Sequence, residues 1–221
     1  MQVVGDFRWC IRGINFQAGA SFIGLGLGRV TRVLAASGKR ILNKNTDPAT
    51  LIYEKPENLD TTDLPVMPMQ DFGTMGDTEI DVDLGSWRLE VGGEVERPKA
   101  YTYAEILSLP AVEREVLLIC PGVFVNHGRW KGVAVRELIK RSVPKAKTGQ
   151  VVIYGRTRTG EQRERFRFAE LEGDGLLLAY AVNGKDLPVR HGRPLRLVAG
   201  EHMGYRWAKY VTRIEVTADP A

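Results

Sequence analysis

From Trp87 to the C-terminus the sequence is broken into runs of strand length, each closed by turn residues. This rhythm limits the fold more than any other feature. "WRLEV" alternates apolar and polar side chains, as a half-buried strand does. "EREVLLIC", which ends at Cys120, is a strand whose inner half is continuously apolar. "QVVIYG", "ERFRF", "LLLAYAV", "PLRLVA" and "YVTRIEV" read as further strands, with Asn183-Gly184 as a tight turn. Helical spacing occurs in two short places only. "TYAEILSL" opens with a Thr102-x-x-Glu105 capping box, and "VAVRELIKR" puts Val135, Leu138 and Ile139 on one face. After Cys120, Pro121-Gly122 turns the chain, and Asn126-His127-Gly128 reads as another turn. Short strands with few short helices predict an α+β, β-rich domain over residues 87–221.

The first 86 residues are of a different kind. Residues 41–86 hold ten acidic side chains against Lys44 and Lys55, and Pro48, Pro56, Pro65 and Pro68 exclude a long helix. "PVMPMQDFGTMGD" mixes apolar anchors with turn residues, which predicts a strap lying over the domain rather than a free linker. Residues 1–40 are basic, with six cationic side chains against Asp6 alone. Sixteen uncharged residues lie between Arg12 and Arg29, and Ala35, Ala36 and Ser37 follow. That layout fits an export signal; an amphipathic membrane anchor and a helix docked on the domain are the other readings. "IRGINFQAGASFI" resembles a twin-arginine export signal with one arginine of the pair missing.

Two constellations in the domain bear on chemistry. Cys120 stands at a strand end beside a turn, where a thiolate is presented to a soft or high-valent transition metal. A buried inert cysteine is the plain alternative. With only Cys10 as a second cysteine, and with no ligand spacing among His127, His191 and His202, neither a disulfide framework nor a zinc site is supported. The second constellation is residues 189–213, with Arg190, Arg193, Arg196, Arg206, Lys209 and Arg213 against Glu201 alone. Arginine forks among glycines suit an anion such as phosphate; a solvated basic face is the alternative. Tyr205, Trp207 and Tyr210 would also permit base stacking, but no recognition helix or RNA-binding motif accompanies them, so nucleic acid is not the expected partner.

In this order and spacing, "NLDTTDLPV", "DFGT", "WRLEVGGEVERP", the strand ending in Cys120, "GRWKGV" and "NGKDLPVRHGRPLRLV…GYRWAKYVTRIEV" resemble the molybdopterin-binding domain of the sulfite oxidase family. The resemblance covers about Asn58 to Val216 and is closest to exported bacterial members such as periplasmic methionine sulfoxide reductases. It implies the sulfite-oxidase-type fold and a cofactor of molybdenum held by molybdopterin, with Cys120 as metal ligand and catalytic residue. It also implies pterin contacts at His191, Arg196, Trp207, Ala208 and Lys209, and more loosely at Gln70 and Asp71 in the strap.

The implied activity is oxygen-atom transfer on a small substrate. Electrons would be exchanged with a separate membrane-bound cytochrome or quinone-linked subunit at the periplasmic face. A non-catalytic subunit of a membrane complex that keeps this fold is the competing reading. The pattern departs from the family after the cysteine: "CPGVFVNHG" lacks the Asn-Arg of sulfite oxidases and the Glu-Ala-Trp of the sulfoxide reductase. Val123 and Phe124 are apolar there and the next cations are His127 and Arg129, so a neutral oxide is expected in preference to sulfite.

Overall fold

The computed structural model describes residues 38–146 and 148–218, which belong to one compact unit. The export or anchoring segment expected over residues 1–40 therefore lies almost wholly outside the described residues. Among the described residues no helix is long and apolar enough to cross a membrane.

Two five-stranded sheets carry the domain. The first is built from β5 (Val112–Cys120), β6 (Phe124–Ala134), β9 (Leu176–Val182), β10 (Lys185–Asp186) and β11 (Arg196–Ala199). Its order is β10-β9-β6-β5, with β11 also paired to β9. The second has the order β4-β3-β12-β7-β8. It comprises β3 (Arg88–Gly93), β4 (Lys99–Thr102), β7 (Thr148–Thr157), β8 (Gly160–Arg167) and β12 (Val211–Ala218). The last strand, β12, is inserted between β3 and β7, parallel to the former and antiparallel to the latter. A two-residue pair, β1 (Arg40–Ile41) with β2 (Leu59–Asp60), ties the start of the strap to itself.

The strands predicted from the apolar runs all form, as do both helices, α1 (Tyr103–Ser108) and α2 (Val135–Ser142). The capping box is made in both directions: Glu105 N–H donates to Thr102 Oγ1 at 3.1 Å, and Thr102 N–H donates to Glu105 Oε2 at 2.8 Å. Val135, Leu138 and Ile139 join one core with Leu89 and Val91 of the second sheet and Leu176–Val182 of the first.

The run after Cys120 differs from the sequence expectation. Asn126-His127-Gly128 is not a turn but the middle of β6, the longest strand, paired with Leu118, Leu117 and Val116 of β5. Side chains that usually punctuate loops are buried here because the strap uses them. Asn126 Oδ1 accepts from Gly73 N–H at 2.8 Å, and its Nδ2 donates to Gly73 C=O at 2.9 Å. His127 Nδ1 lies 3.0 Å from Pro65 C=O, and His127 C=O accepts from Met67 N–H at 2.8 Å. Gly128 leaves room for the Phe72 ring, which a Cβ would meet at 2.8 Å.

Residues 42–72 thus supply a second layer over the first sheet. Leu42, Leu51, Leu59 and Leu64 pack on Leu117, Ile119 and Val125. Leu118 and Cys120, the alternate residues of β5, face the main core. Burial on both faces explains the unbroken apolar run that ends at the cysteine.

Asn126→Ala removes both side-chain bonds to Gly73 and leaves a partly buried peptide unit without partners. Urea unfolding is expected to show a loss of about 1–3 kcal/mol, with faster thermolysin cleavage between residues 65 and 80. Unchanged stability and cleavage would contradict the role assigned to Asn126.

Candidate functional site

Strand ends from both sheets and one turn of the strap meet around a cavity of about 260 Å³. Its walls include Leu118 and Cys120 of β5, Phe124 of β6, Arg196 of β11, Arg156 of β7 and Gln162 of β8. Trp207, Lys209 and Tyr210 close one side, and Met75, Gly76 and Asp77 of the strap close another. Larger grooves of about 440 Å³ beside β3, β4 and β12, and about 890 Å³ beside α1 and α2, hold neither a thiol nor a buried unpaired cation.

Cys120 is free and buried, and its Sγ lies 3.9 Å from Met75 Sδ. Burial raises the thiol pKa, while the nearby Arg196 guanidinium pulls it down. Arg196, the first residue of β11, is only 5% exposed. Its guanidinium sits 5.8 Å from the ring centroids of both Trp130 and Trp207 and donates through Nη1 to His191 C=O at 3.0 Å. Its Nε has no partner. Burial lowers its pKa to about 10, against the opposing pull of Tyr210 and Cys120.

Lys209 is placed by an unusual stretch of backbone. Gly192 has φ +108, and a Cβ there would meet Lys209 Cβ at 2.9 Å; one on Gly155 would meet Lys209 C=O at 2.3 Å. The next residue, Tyr210, is left-handed at φ 50. Bonds from Tyr210 N–H to Gly192 C=O, from Arg156 N–H to Tyr210 C=O, and from Tyr210 OH to Val189 C=O hold that conformation. The ammonium donates to Thr74 Oγ1, Asp77 C=O and Arg190 C=O at 2.8, 2.9 and 3.1 Å. Its pKa falls to about 8, chiefly through burial and then through Arg196. Burial, with Arg196, Arg190 and Lys209 as further causes, takes His191 down to about 4, so the ring is neutral at pH 7. Its Nδ1 is buried without a partner.

Of the residues expected from the sequence, Cys120, Arg196, Trp207 and Lys209 line one cavity. His191 lies beside it, through its carbonyl on Arg196. Trp207 acts as a wall, because its Nε1 is spent on Ala199 C=O at 2.9 Å and His202 C=O at 3.0 Å. Ala208 is buried behind, with its carbonyl taken by Leu197 N–H. Gln70 and Asp71 are exposed and do not line the cavity. Phe72 turns inward instead, against Trp130 and His191 at 6.0 Å each, and so directs its two predecessors outward.

Lining residues to which the sequence reading gave no role at the site include Met75, Asp77, Arg156, Thr157 and Gln162. The next cations after the cysteine, His127 and Arg129, do not line the cavity. His127 is buried under the strap, and exposed Arg129 is paired with Glu115 at 2.6 Å. Trp207 and Tyr210 are buried as well, so of the three aromatics only Tyr205 offers a face to a base.

These residues fit a phosphorylated pterin that carries a soft metal. A thiol supplies the soft donor, and buried Arg196 and half-buried Lys209 form no ion pair with a carboxylate among the described residues. Arg196 Nε and His191 Nδ1 are buried polar atoms still lacking partners. Buried charges of one sign without a counter-charge are costly, and an anionic group removes that cost.

Known proteins agree with this chemistry. The family described as the oxidoreductase molybdopterin binding domain matches residues 75–221. A protein-methionine-sulfoxide reductase catalytic subunit from Xanthomonas axonopodis is 31% identical over 144 residues, covering 59% of this chain and 45% of that protein. A putative protein-methionine-sulfoxide reductase subunit from Azospira oryzae is 29% identical over 172 residues, covering 77% of this chain and 63% of the relative. An NADH nitrate reductase of Brassica napus is 28% identical over 196 residues, covering 71% of this chain and 20% of its own length. The chain therefore spans less than two thirds of each of these proteins. Among solved structures, the sulfane dehydrogenase SoxCD of Paracoccus pantotrophus superposes with a TM-score of 0.59 at 22% identity, over 63% of this chain and 40% of that one. That likeness establishes the fold. With the family matched over residues 75–221 and the thiol and unpaired cations gathered on one cavity, the chain belongs to the oxidoreductase molybdopterin-binding domain family, of the sulfite oxidase type.

Proposed function

We propose that this chain is the catalytic domain of a molybdenum-dependent oxidoreductase that moves an oxygen atom to or from a small substrate. The observation that carries the reading is one cavity shared by the Cys120 thiol, buried Arg196 and half-buried Lys209, neither cation having a carboxylate partner among the described residues. Molybdenum on molybdopterin, when bound, supplies two-electron redox chemistry at the metal. Cys120 would ligate the metal through Sγ. Arg196 and Lys209, with His191, would hold the terminal phosphate, and Trp207 would wall the pterin off from the core. Electrons would pass to or from a cytochrome or quinone-linked membrane subunit at the periplasmic face, in keeping with the basic, apolar N-terminal segment.

Purified native protein is expected to contain close to one molybdenum per chain, and Cys120→Ala to lose it while remaining folded by circular dichroism. Folded wild-type protein free of molybdenum and pterin would favour a non-catalytic subunit.

Arg196→Gln and Lys209→Gln should each weaken cofactor retention by about 1.5–3 kcal/mol, the worth of a charge-assisted hydrogen bond. The pH dependence has a definite sign. Lys209 loses its proton as pH rises through about 8, so retention should fall above that pH in wild type. In Lys209→Arg the decline should vanish, since arginine keeps its charge. Molybdenum per chain after dialysis at each pH is the measurement.

The wall nearest the thiol is apolar, formed by Met75, Leu118 and Phe124. Arg156 stands at the rim, exposed to solvent, and Arg196 and Lys209 are taken by the phosphate in this reading. A dianion beside the thiol would lose hydration without a dedicated partner. Neutral sulfoxides or N-oxides are therefore expected to turn over better than sulfite with artificial electron carriers. Efficient sulfite oxidation with a KM below about 1 mM, inside the ordinary enzyme range, would refute this assignment.

A further inference from the structure

β8 is the free edge of the second sheet, and its outer face bears a row of arginines. In the β7–β8 register, Arg163 lies opposite Tyr154, Arg165 opposite Val152, Arg167 opposite Gln150 and Arg156 opposite Glu161, so all four arginines share one face. All four are exposed, and none forms an ion pair among the described residues. The fifth arginine of this face, Arg213, is already neutralised by Glu161 at 3.0 Å and Glu215 at 3.3 Å. It lies over Tyr154, with Arg163 at the same ring. The row begins at the catalytic cavity, because Arg156 and the inward-facing Gln162 both line it. At about 3.3 Å per residue, Arg167 stands roughly 17 Å from that rim. A partner covering a standard patch of about 800 Å² would span this row and the cavity mouth together.

We propose that this face is the docking surface for an acidic face of the electron-carrying partner invoked above, set so that the partner's redox group is brought to the cavity mouth. The inference rests on the redox reading above, which requires electrons to enter or leave the cavity. Uncompensated positive charge on one rim steers and orients a partner of opposite sign. The chain's own N-terminus is not that complement, since residues 1–37 carry Arg8, Arg12, Arg29 and Arg32 against Asp6 alone. The other use of such arginines is to guard a free strand edge against pairing with another chain. Guarding requires only charge along the edge; it does not require the row to continue onto Arg156 of the neighbouring strand and into the cavity rim.

The experiment uses the purified full chain and flavodoxin, a small acidic flavin protein, as the probe. Fluorescence titration should give an affinity that falls about tenfold or more between roughly 20 and 200 mM salt, as screening predicts. The triple variant R163E/R165E/R167E should weaken binding by at least about tenfold at low salt and slow flavodoxin-linked turnover in proportion. Turnover with a small neutral dye should be unchanged, and R163K/R165K/R167K should bind as wild type. R165E alone, at the middle of the row, should weaken binding about threefold, which decides the matter if the triple variant folds poorly. Binding that is insensitive to salt and to these variants overturns the proposal. So does a triple variant that self-associates while its monomer binds normally, since that outcome assigns the arginines to edge protection. A chain lacking molybdenum would remove the redox reading, yet the titration, which needs no turnover, would still decide the surface.

Discussion

The buried Arg196 guanidinium is the constraint around which the site is organised. Removing a cation from water costs several kcal/mol unless something answers its charge, and no carboxylate among the described residues does. Partial answers come from the Trp130 and Trp207 rings, the His191 carbonyl and the Cys120 sulfur. Trp207 and Cys120 reappear as walls of the cavity, and the carbonyl bond brings His191 beside it. Lys209 adds a second cation, held in place by two glycine positions and the left-handed Tyr210. A fold selected for stability alone would have little reason to gather these charges and this backbone strain. In the proposed function an anionic cofactor would supply the reason; the lowered pKa values of Arg196, Lys209 and His191 come chiefly from burial.

The strap completes the site from the other side. It is anchored by Phe72 and by the Asn126–Gly73 bonds, so Thr74 to Asp77 reach the cavity with little freedom. Asp77 shows how this works: its carboxylate is taken by Arg158 at 2.7 Å, while its carbonyl accepts from Lys209. The acidic character of the segment is thus spent partly on clamping it down, and Lys209 is left without a carboxylate partner among the described residues. Met75 then stands beside the thiol as an apolar neighbour.

Much of the secondary structure was legible because it depends on local periodicity. Alternation in "WRLEV", the apolar half of "EREVLLIC", and the Thr102–Glu105 box each act within a few residues, and all formed as read. β6 was not legible, since Asn126, His127 and Gly128 are turn residues unless another segment consumes their polar groups and fills the space over the glycine. That segment lies more than fifty residues upstream. Gln70 and Asp71 point outward for a similar reason: which residue of a short turn faces inward depends on where Phe72 finds a hydrophobic seat.

By itself the sequence determined a β-rich domain, a thiol at a strand end and a run of cations suited to an anion. These follow from side-chain period and chemical type, which need no knowledge of neighbours. Only the tertiary structure decided that Cys120, Arg196 and Lys209 share one cavity, that His127 and Arg129 stay out of it, and that Met75 and Arg156 enter. The physical reason is that such meetings depend on sheet order: β12 inserted between β3 and β7 brings Lys209 beside Arg196, and antiparallel pairing carries Arg156 to the same rim.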